Sequence, residues 1–385
     1  MNPLFDKDEL IAFAQTLIQT PSLSQNEEKI AEVMAAEMRK LQYDEVWIDE
    51  KKNVVGKIKG TGKGPTLLFN GHLDHAGIGA MEDPFSGRIM DGGRFGCKEP
   101  VIYGRGASDM KAALAAMVYA GGAIKKLGRP LRGNFLMTAV VMEEMSYAEG
   151  LKYLLNKKGI TADFAVSGEA TNLNVYIGHR GKIEFKITTK GKTSHGGYPQ
   201  GGINAICLMN EFINAVKERY RLPSHAFLGD ATYTFIDIAA SPGRLTPIVP
   251  DRCELIFDRR YFPEETEEML AAELLNIIAE IKSKNPLFDA TVELVKCSPP
   301  ILTDPDEKIV SAMKEARRKI MGEEGKIGAW YFGVGCYPLK KAGIPLVGFG
   351  PANEYFAHTP EDHVPVAHLE IAANVYVQLI QDLLV

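Results

Sequence analysis

Acidic and imidazole side chains follow several apolar runs of the sequence, where packing alone would not place them. The residues concerned are His72, Asp74, Asp109, Glu143, Glu144, Glu169 and His358. Ligands of open α/β sheets gather at the carboxyl ends of the strands. Clustered carboxylates repel one another and are costly to bury unpaired, so a cation is the expected partner. Carboxylate oxygens and imidazole nitrogens, with no thiolate, favour zinc, manganese or cobalt.

Each of these residues also has an ordinary explanation. Asp109 follows Ser108 before an alanine-rich stretch and could be a helix N-cap. The pair of Glu143 and Glu144 could be a solvated strand end, and His358 could be a loop histidine. The stretch GRGASD lacks the third glycine of a dinucleotide fingerprint, which argues against a nucleotide-binding oxidoreductase. The metal hypothesis therefore rests on the co-occurrence of these side chains at strand ends.

The elements that must position these residues alternate between strands and helices. Helical spacing covers 4–19 and 24–42, and Ser24 with Glu27 predicts a capping box for the second helix. The runs EVWIDE, NVVGKIKG, PTLLFNGHLD, FLMTAVVMEE and ADFAVSGEA predict strands, and MKAALAAMVYAGGAIKKL predicts a helix. Nearly continuous apolar strands alternating with helices indicate an α/β domain with both faces of its sheet covered.

A second pattern begins near Gly181. The segments KIEFKITTKG, ATYTFIDIAAS, CELIFDRRYF and ATVELVKC alternate apolar and polar residues, with helical stretches at 203–219 and 264–284. Four antiparallel strands and two helices indicate an inserted α+β lid domain over 181–298. The α/β character then returns, so the catalytic domain is predicted to combine 1–180 and 299–385.

Composition excludes several classes of function. The chain has 385 residues, 45% of them hydrophobic, and a formal net charge of -5. That charge gives no reason to expect nucleic acid as a partner. No apolar run reaches the ~18 residues that span a membrane, and the start is acidic rather than typical of a signal peptide. Five scattered cysteines without a CxxC spacing fit a reducing cytoplasm.

The ordered set GHLD, GRGASDMK, EE, GEAT and AHTPED resembles the M20 family of metal-dependent amidohydrolases. That family includes aminoacylases, desuccinylases, glutamate-releasing carboxypeptidases and dipeptidases. The stretch NLNVYIGHRG and the spacing around DRR resemble a subgroup of this family labelled selenium-metabolism-linked hydrolases. The resemblance implies a zinc-peptidase-like catalytic domain with a mixed sheet, and a homodimer formed through the lid domain.

The resemblance also implies a dinuclear metal centre. In it His72 and Glu169 would bind one ion, Glu144 and His358 the second, and Asp109 would bridge them. A bridging carboxylate can hold two cations ~3.5–4 Å apart by giving each an oxygen. The implied cofactors are two divalent metal ions per chain, zinc or alternatively cobalt or manganese.

Catalytic roles follow from the same resemblance. Glu143 would be the general base that takes a proton from the attacking water and returns it to the amine. Asp74 lies two residues after His72 on a strand, so it points to the same side and could fix the imidazole tautomer. His195 in GKTSHGGYP would stabilise the oxyanion, and Arg260 in DRRY would bind a substrate carboxylate.

Some positions carry no assigned role or depart from the family pattern. His75 points away from His72, and we predict a core or surface position for it. Three other histidines show no signal that separates them from surface residues: His225, His363 and His368. Pro247 stands where many members have asparagine, and Val334–Gly335 stands where a threonine–aspartate pair is common. Both changes remove hydrogen-bonding groups that could select the substrate.

The sequence thus predicts a cytoplasmic metal-dependent hydrolase that cleaves a small amide C–N bond. An N-acyl amino acid is the preferred substrate class. A metallodipeptidase or aminopeptidase of the same fold is the alternative within the class. A binding protein that kept the fold without catalysis is the alternative outside it, although Glu143 and all the implied ligands are present.

Overall fold

The structure is a computed structural model that describes residues 4–146, 148–243 and 247–385. Within these residues, two compact units are distinguished. The larger unit runs to Gly178 and also contains Leu302–Trp330 and Val334–Val385. The smaller unit contains His179–Ile301 and Tyr331–Gly333. The domain boundaries drawn from the sequence stay a prediction, because compact packing does not establish that a segment folds independently.

Helices and strands are numbered in chain order. The helices are α1 (Lys7–Gln19), α2 (Glu28–Lys40), α3 (Ala112–Leu127), α4 (Glu143–Ser146), α5 (Glu149–Lys157), α6 (Ala205–Arg219), α7 (Glu267–Lys284), α8 (Lys308–Met321), α9 (Tyr337–Lys341) and α10 (Val366–Leu384). The first strands are β1 (Glu45–Ile48), β2 (Val54–Ile58), β3 (Leu67–His72), β4 (Arg88–Met90), β5 (Val101–Tyr103), β6 (Phe135–Val140), β7 (Phe164–Ser167), β8 (Val175–His179) and β9 (Gly181–Lys190). The remaining strands are β10 (Ser224–His225), β11 (Gly229–Asp230), β12 (Thr232–Ser241), β13 (Arg252–Tyr261), β14 (Ala290–Ser298), β15 (Ile301–Leu302), β16 (Ile327–Trp330), β17 (Leu346–Gly348) and β18 (His363–Pro365).

The larger unit is built on a mixed sheet, as predicted. Seven of the nine strands in this sheet lie in the order β1-β2-β6-β3-β7-β17-β8, and β16 also pairs with β8. Strand β3 is parallel to β6 on one side and to β7 on the other, whereas β2 runs antiparallel to β6. The parallel strands β3, β6 and β7 therefore end at one edge of the sheet.

Both faces of this sheet are covered. Leu67 and Phe69 of β3 belong to the main hydrophobic core together with residues of α1, α3 and α10. Leu68 projects to the opposite face, and it is also 0% exposed. A strand that is buried on both sides reads as a continuous apolar run, which is why TLLF preceded the polar residues in the sequence.

Helix α3 lies inside the larger unit rather than on its surface. All of its residues from Ala112 to Ile124 are buried, in agreement with a sequence that is apolar on every side. A Cβ atom at Gly121 would lie only 2.0 Å from the Tyr43 hydroxyl. The missing side chain lets Tyr43 pack against the helix and donate a hydrogen bond of 2.9 Å to the Val118 carbonyl.

The smaller unit has the α+β composition predicted from the sequence. Its four-stranded antiparallel sheet has the order β12-β13-β9-β14. Helices α6 and α7 pack on this sheet and share one hydrophobic core with it, which includes Phe185, Phe212, Phe257 and Leu274. The alternating pattern of β9, with buried and half-buried residues in turn, is that of a strand with one face in the core.

The predicted capping box of α2 is wrong. The helix begins at Glu28, and its N-cap residue Glu27 makes no side-chain capping hydrogen bond. Ser24 instead donates a hydrogen bond of 2.6 Å to a carboxylate oxygen of Asp74. A buried carboxylate needs hydrogen-bond donors more than the helix end needs this hydroxyl. Within the described residues, no helix has the length and apolar character required to cross a membrane.

Candidate active site

Three parallel strands bring four of the candidate residues to one edge of the sheet. His72 is the last residue of β3, between β6 and β7. Strand β6 ends at Val140, and the chain turns into α4, which begins with Glu143 and Glu144. Glu169 follows the end of β7 by two residues. The turn after β6 lets the adjacent residues Glu143 and Glu144 both approach the site.

Asp109 lies in an irregular turn, Ala107–Lys111, directly before α3, and its own backbone is extended, with φ -132° and ψ 91°. It is not the N-cap of α3, so the ordinary explanation of this residue does not hold. Its Oδ1 lies 2.8 Å from His72 Nε2, and its Oδ2 lies 3.1 Å from His358 Nε2. The two oxygens of one carboxylate thus face two different imidazoles.

A further carboxylate accompanies each imidazole. Glu169 Oε1 lies 3.6 Å from His72 Nε2, and Glu144 Oε1 lies 3.0 Å from His358 Nε2. The cluster therefore consists of two histidine–glutamate pairs on either side of Asp109. One ligand atom from each of His72, Asp109 and Glu144 lies within 4.8 Å of the other two, close enough for a shared metal ion.

Asp74 has contacts beyond its predicted one with His72. His72 Nδ1 donates a hydrogen bond of 3.0 Å to the Asp74 backbone carbonyl, while Asp74 Oδ1 is 3.5 Å away. This hydrogen bond leaves Nε2 as the unprotonated nitrogen of a neutral ring. The Asp74 carboxylate accepts hydrogen bonds of 3.1 Å from the backbone N–H groups of both Glu143 and Glu144.

Burial is the largest influence on the ionisation of the three glutamates at this site. Burial raises the pKa of Glu143 to about 8. Burial, reinforced by the charge of Asp109, also raises the pKa values of Glu144 and Glu169. Without further positive charge these carboxylates favour their protonated forms.

The remaining members of the cluster behave as ion pairs. Burial opposes ionisation of Asp109, but hydrogen bonds with His358 and His72 hold its pKa below the usual range. Hydrogen bonds with Asp109 and Glu144 raise the pKa of His358 to about 10. Burial opposes the charged form of His72, yet hydrogen bonds with Asp109 and Asp74 raise its pKa.

The donor set fits divalent metal ions. Imidazole nitrogens and carboxylate oxygens converge in a cluster whose His72, Asp109 and Glu169 are buried and whose His358 is exposed, and this donor set suits zinc, cobalt and manganese. Divalent cations would also add positive charge beside these glutamates and so favour their ionised forms. His72 and Glu169 could hold one ion, Glu144 and His358 a second, and Asp109 could bind both.

Glu143 lies against a glycine that the sequence had singled out. A Cβ atom at Gly335 would lie 2.6 Å from both Cγ and Oε1 of Glu143. The neighbouring Val334 is 4% exposed, and Cys336 is 2% exposed. The Val334–Gly335 departure thus affects the surroundings of Glu143 directly, which the sequence alone did not indicate.

The predicted substrate-binding residues lie in the smaller unit. His195 Nδ1 accepts a hydrogen bond of 3.0 Å from the backbone N–H of Gly197, and Gly196 N–H donates to the Pro247 carbonyl. Arg260 lies on β13 and donates from Nε to Asp258 at 3.1 Å. Their assignment to oxyanion and carboxylate binding stays a prediction.

Two residues with clear structural roles had no assignment from sequence. Asp362, which is 0% exposed, accepts hydrogen bonds from the backbone N–H groups of Gly106 and Ser108 and from the Ser108 hydroxyl. His363 is 3% exposed and packs between the rings of Phe95 and Phe356, so it is not a surface residue. A signal for Asp362 was its place four residues after His358 in AHTPED.

The other histidines lie outside the cluster. His75 is 2% exposed, and its Nδ1 donates to the Ala76 carbonyl, which agrees with a core position. His225 accepts hydrogen bonds from the N–H groups of Phe227 and Leu228 in the smaller unit. His368 on α10 accepts one from Ala352.

Comparison with known proteins establishes the family. Residues 68–382 match the sequence profile of Peptidase family M20/M25/M40. The chain therefore belongs to this family and is a hydrolase that acts on carbon–nitrogen bonds. The finer subgroup, that of selenium-metabolism-linked hydrolases, stays a prediction.

Similar proteins include both enzymes and an uncharacterized relative. An uncharacterized Escherichia coli protein, YgeY, is 32% identical over 96% of this chain and 93% of its own. N-formyl-4-amino-5-aminomethyl-2-methylpyrimidine deformylase of Bacillus subtilis is 27% identical over 94% of this chain and 92% of its own. The structure of Bacillus subtilis YXEP, a dinuclear metal-binding peptidase of the M20 family, has a TM-score of 0.75 and 18% identity, covering 98% of both chains.

Proposed function

We propose that this chain is a dinuclear metal-dependent amidohydrolase that cleaves the amide bond of an N-acyl amino acid. The observation that carries the proposal is the position of Asp109. Its two oxygens face the Nε2 atoms of His72 and His358 at 2.8 Å and 3.1 Å. This is the arrangement expected of a carboxylate that bridges two cations.

We assign two divalent ions to this cluster, with zinc as the first choice and cobalt or manganese as alternatives. The Bacillus subtilis YXEP protein is described as a dinuclear metal-binding peptidase, which supports the assignment of two ions per chain. When bound, such ions supply Lewis acidity, which makes a neighbouring water more acidic and polarises the amide carbonyl.

Glu143 is the residue that moves protons in this proposal. Its carboxylate accepts a proton from the attacking water as the new carbon–oxygen bond forms. It then gives that proton to the amide nitrogen as the carbon–nitrogen bond breaks, so the products are a carboxylic acid and an amine. Glu143 and Glu144 begin the helix Glu143–Ser146, and the distance of 3.0 Å between Glu144 Oε1 and His358 Nε2 supports our assignment of Glu144 as the metal ligand.

The substrate class is supported by the relatives and by the smaller unit. The Bacillus subtilis deformylase acts, by its name, on an N-formyl group, which is an acyl group on nitrogen. Arg260 could bind the carboxylate of an amino acid product, because a guanidinium matches that group with two parallel hydrogen bonds. His195 is proposed as the oxyanion donor. Peptidase activity is the second candidate, since the YXEP protein is named a peptidase.

We also propose a homodimer that forms through the smaller unit. Strand β12 is an edge strand of its sheet, and Ile236 and Ile238 on it are 50% and 55% exposed. An exposed apolar edge strand is suited to pairing with another chain. Mixing inactive His195→Ala chains with inactive Glu143→Ala chains should restore activity if the site is shared between subunits. Cytoplasmic localisation stays a prediction.

The test of the proposed reaction is a substrate panel combined with one variant. The purified chain, supplied with zinc, cobalt or manganese, is assayed with N-acetyl, N-succinyl and N-carbamoyl amino acids and with dipeptides. We expect chelator-sensitive release of the free amino acid from N-acyl substrates. Glu143→Gln should lower kcat by ~10²–10⁴-fold, because a positioned acid–base group contributes that much.

Glu37→Gln is the matched control for this variant. Glu37 accepts a hydrogen bond of 2.7 Å from the Tyr119 hydroxyl outside the cluster, so its substitution should leave kcat near the wild-type value. Wild-type rates in Glu143→Gln would remove Glu143 from its role. Cleavage of dipeptides alone would replace the acylase proposal with the peptidase.

A further inference from the structure

The 20–27 segment, TPSLSQNE, connects α1 to α2 and contains an unusual number of buried polar side chains. Ser22 is 0% exposed, Glu27 is 3% exposed and Ser24 is 4% exposed. This segment lies before residues 68–382, the part of the chain that matches the family. Polar side chains are costly to bury unless they are hydrogen-bonded, so their partners indicate what the segment does.

The first set of partners lies just beyond His72. The Ser22 hydroxyl donates a hydrogen bond of 2.7 Å to the Leu73 carbonyl. The His75 N–H donates one of 3.1 Å to the Ser22 carbonyl. The 20–27 segment is thus joined to the chain where β3 ends.

The second set of partners lies at the turn that carries Glu143 and Glu144. Ser24 donates a hydrogen bond of 2.6 Å to Asp74 Oδ2, and the two carboxylate oxygens of Asp74 accept the N–H groups of Glu143 and Glu144. Glu27 Oε1 accepts the N–H of Met142 at 3.0 Å. Three successive backbone N–H groups are therefore held, directly or through Asp74, by the 20–27 segment.

The backbone conformation of this turn explains why it would need support. Met142 has a φ angle of +56°, in the left-handed region that residues with a side chain seldom adopt. The hydrogen bond from Met142 to Glu27 occurs at this same residue. The turn also joins β6 to α4, so its conformation decides where both glutamate side chains point.

A third contact reaches the chain next to Asp109. Lys111 is 0% exposed, and its Nζ donates a hydrogen bond of 2.7 Å to the Thr20 carbonyl. The 20–27 segment thus contacts the chain beside each of the three elements that carry His72, Asp109 and the two glutamates. It contributes none of the side chains of the cluster itself.

We propose that the 20–27 segment positions the turn formed by Met142, Glu143 and Glu144. Ser24 and Glu27 are the residues that hold this turn in place. Neither side chain touches the reacting atoms. Both act through the backbone of Met142, Glu143 and Glu144. The inference rests on the proposed function, because it assigns a reason for the placement of a general base and a metal ligand.

The test compares two substitutions of Glu27. Glu27→Met has a similar length but no acceptor for the Met142 N–H, whereas Glu27→Gln keeps an acceptor oxygen. We expect Glu27→Met to lower kcat by about 10- to 100-fold, the usual effect of losing a group that supports catalytic residues, with KM changed by less than about twofold. Glu27→Gln should retain most of the activity. Ser24→Ala is a second variant with a smaller change in the side chain, and it should also lower kcat.

The matched control is Thr303→Val, which also removes a buried hydroxyl. Thr303 is 7% exposed, and its hydroxyl donates a hydrogen bond of 2.6 Å to the Leu346 carbonyl, away from the 20–27 segment. A general loss of stability would affect this variant as well. Thr303→Val should leave kcat unchanged if Glu27→Met and Ser24→Ala act by displacing Glu143 and Glu144.

A second readout does not depend on turnover. Hydrogen exchange of the metal-free chain should show faster exchange of the amides of Met142, Glu143 and Glu144 in Glu27→Met and Ser24→Ala, with β3 and α3 still protected. Unchanged exchange and wild-type kcat in both variants would overturn the proposal. If the wild-type chain cleaves no amide with any metal, the proposed function fails, while the exchange experiment still decides whether the segment holds the turn.

Discussion

Glu143 has little free space, and its neighbour at position 335 sets that limit. Gly335 approaches the Glu143 carboxylate so closely that even a methyl group would come within 2.6 Å of Cγ and Oε1. Real Cβ atoms do not approach other atoms this closely, so one of the two residues must move when a side chain is added. Since Glu143 is half-buried and interacts with the charges of His72 and Glu144, its displacement would change the proton transfer that we assign to it.

We therefore predict that Gly335→Ala lowers kcat by roughly 10²-fold, at the lower end of the loss expected when a general base is misplaced. Metal content should stay at the wild-type level, because the three atoms nearest to the added Cβ all belong to Glu143, which is not an assigned ligand. The control is Gly77→Ala, where a Cβ atom would have no neighbour within 4 Å. Steady-state kinetics of both variants decide the matter, and equal kcat values would show that Glu143 does not need its present position.

At the residue scale, sequence reasoning predicted which side chains gather but not how they face one another. Strand ends and residue types were sufficient to group His72, Glu144 and Glu169. The two Asp109 oxygens face two imidazoles because the turn Ala107–Lys111 is irregular and leaves Asp109 with an extended backbone, and no sequence pattern indicates this conformation. The contact between Gly335 and Glu143 joins positions almost two hundred residues apart, beyond the reach of any local pattern.

At the scale of elements, Asp362 joins two loops that carry assigned metal ligands. It follows His358 by four residues, and its carboxylate accepts the N–H groups of Gly106 and Ser108 at 2.8 Å each. Arg105 Nη1 lies 3.2 Å from the same carboxylate, with both side chains almost fully buried. The loop of His358 and the turn of Asp109 are therefore held together by one buried ion pair with its hydrogen bonds.

We predict that Asp362→Ala lowers the free energy of unfolding by about 3–5 kcal/mol, because it leaves a buried guanidinium without its partner. Chemical denaturation of the variant and of the wild type gives this difference. Asp83→Ala is a suitable control, since the pair of Asp83 with Arg88 is exposed and should contribute at most about 1 kcal/mol. A loss of the same small size in both variants would contradict the structural role of Asp362.

The elements themselves were largely predictable. Strand β3 and helix α3 lie where the apolar runs placed them, because burial on all sides leaves an unmistakable pattern. The small sheet of β4, β5 and β18 was missed, since strands of three residues are too short to show alternation. The capping box at Ser24 failed because a contact fifty residues away in sequence competed for the same hydroxyl.

At the scale of the whole molecule, two histidines that favour their neutral form should make the fold sensitive to acid: the half-buried His368 and the buried His75. Burial, together with the charge of His363, lowers the pKa of His368 to about 4 from an ordinary value of 6.5. Between these pH values the unfolded chain binds a proton that the folded chain does not. Stability should therefore fall as the pH decreases from about 6.5 to about 4.

We predict that His368→Gln reduces this loss. A glutamine cannot gain the proton, and its amide oxygen could still accept the Ala352 N–H that His368 Nδ1 accepts at 3.3 Å. Across this pH range, the free energy of unfolding should fall by up to about 3 kcal/mol less in His368→Gln than in the wild type. Denaturation curves at pH 7 and pH 4.5 measure it. Some acid sensitivity should remain, because burial also lowers the pKa of His75 to about 4. Equal losses in both chains would rule out His368 as a contributor.

Asp109 is proposed to bridge two divalent cations, and the most direct test of that role is the number of ions bound per chain. Metal-free protein is titrated with zinc, and bound metal is determined after exhaustive dialysis. We expect about two ions in the wild type and about one in His358→Ala or Glu144→Ala, because each of these substitutions removes a ligand from one side of Asp109 only. An unchanged stoichiometry in both variants, or no tight binding by the wild type with zinc, cobalt or manganese, would contradict the account.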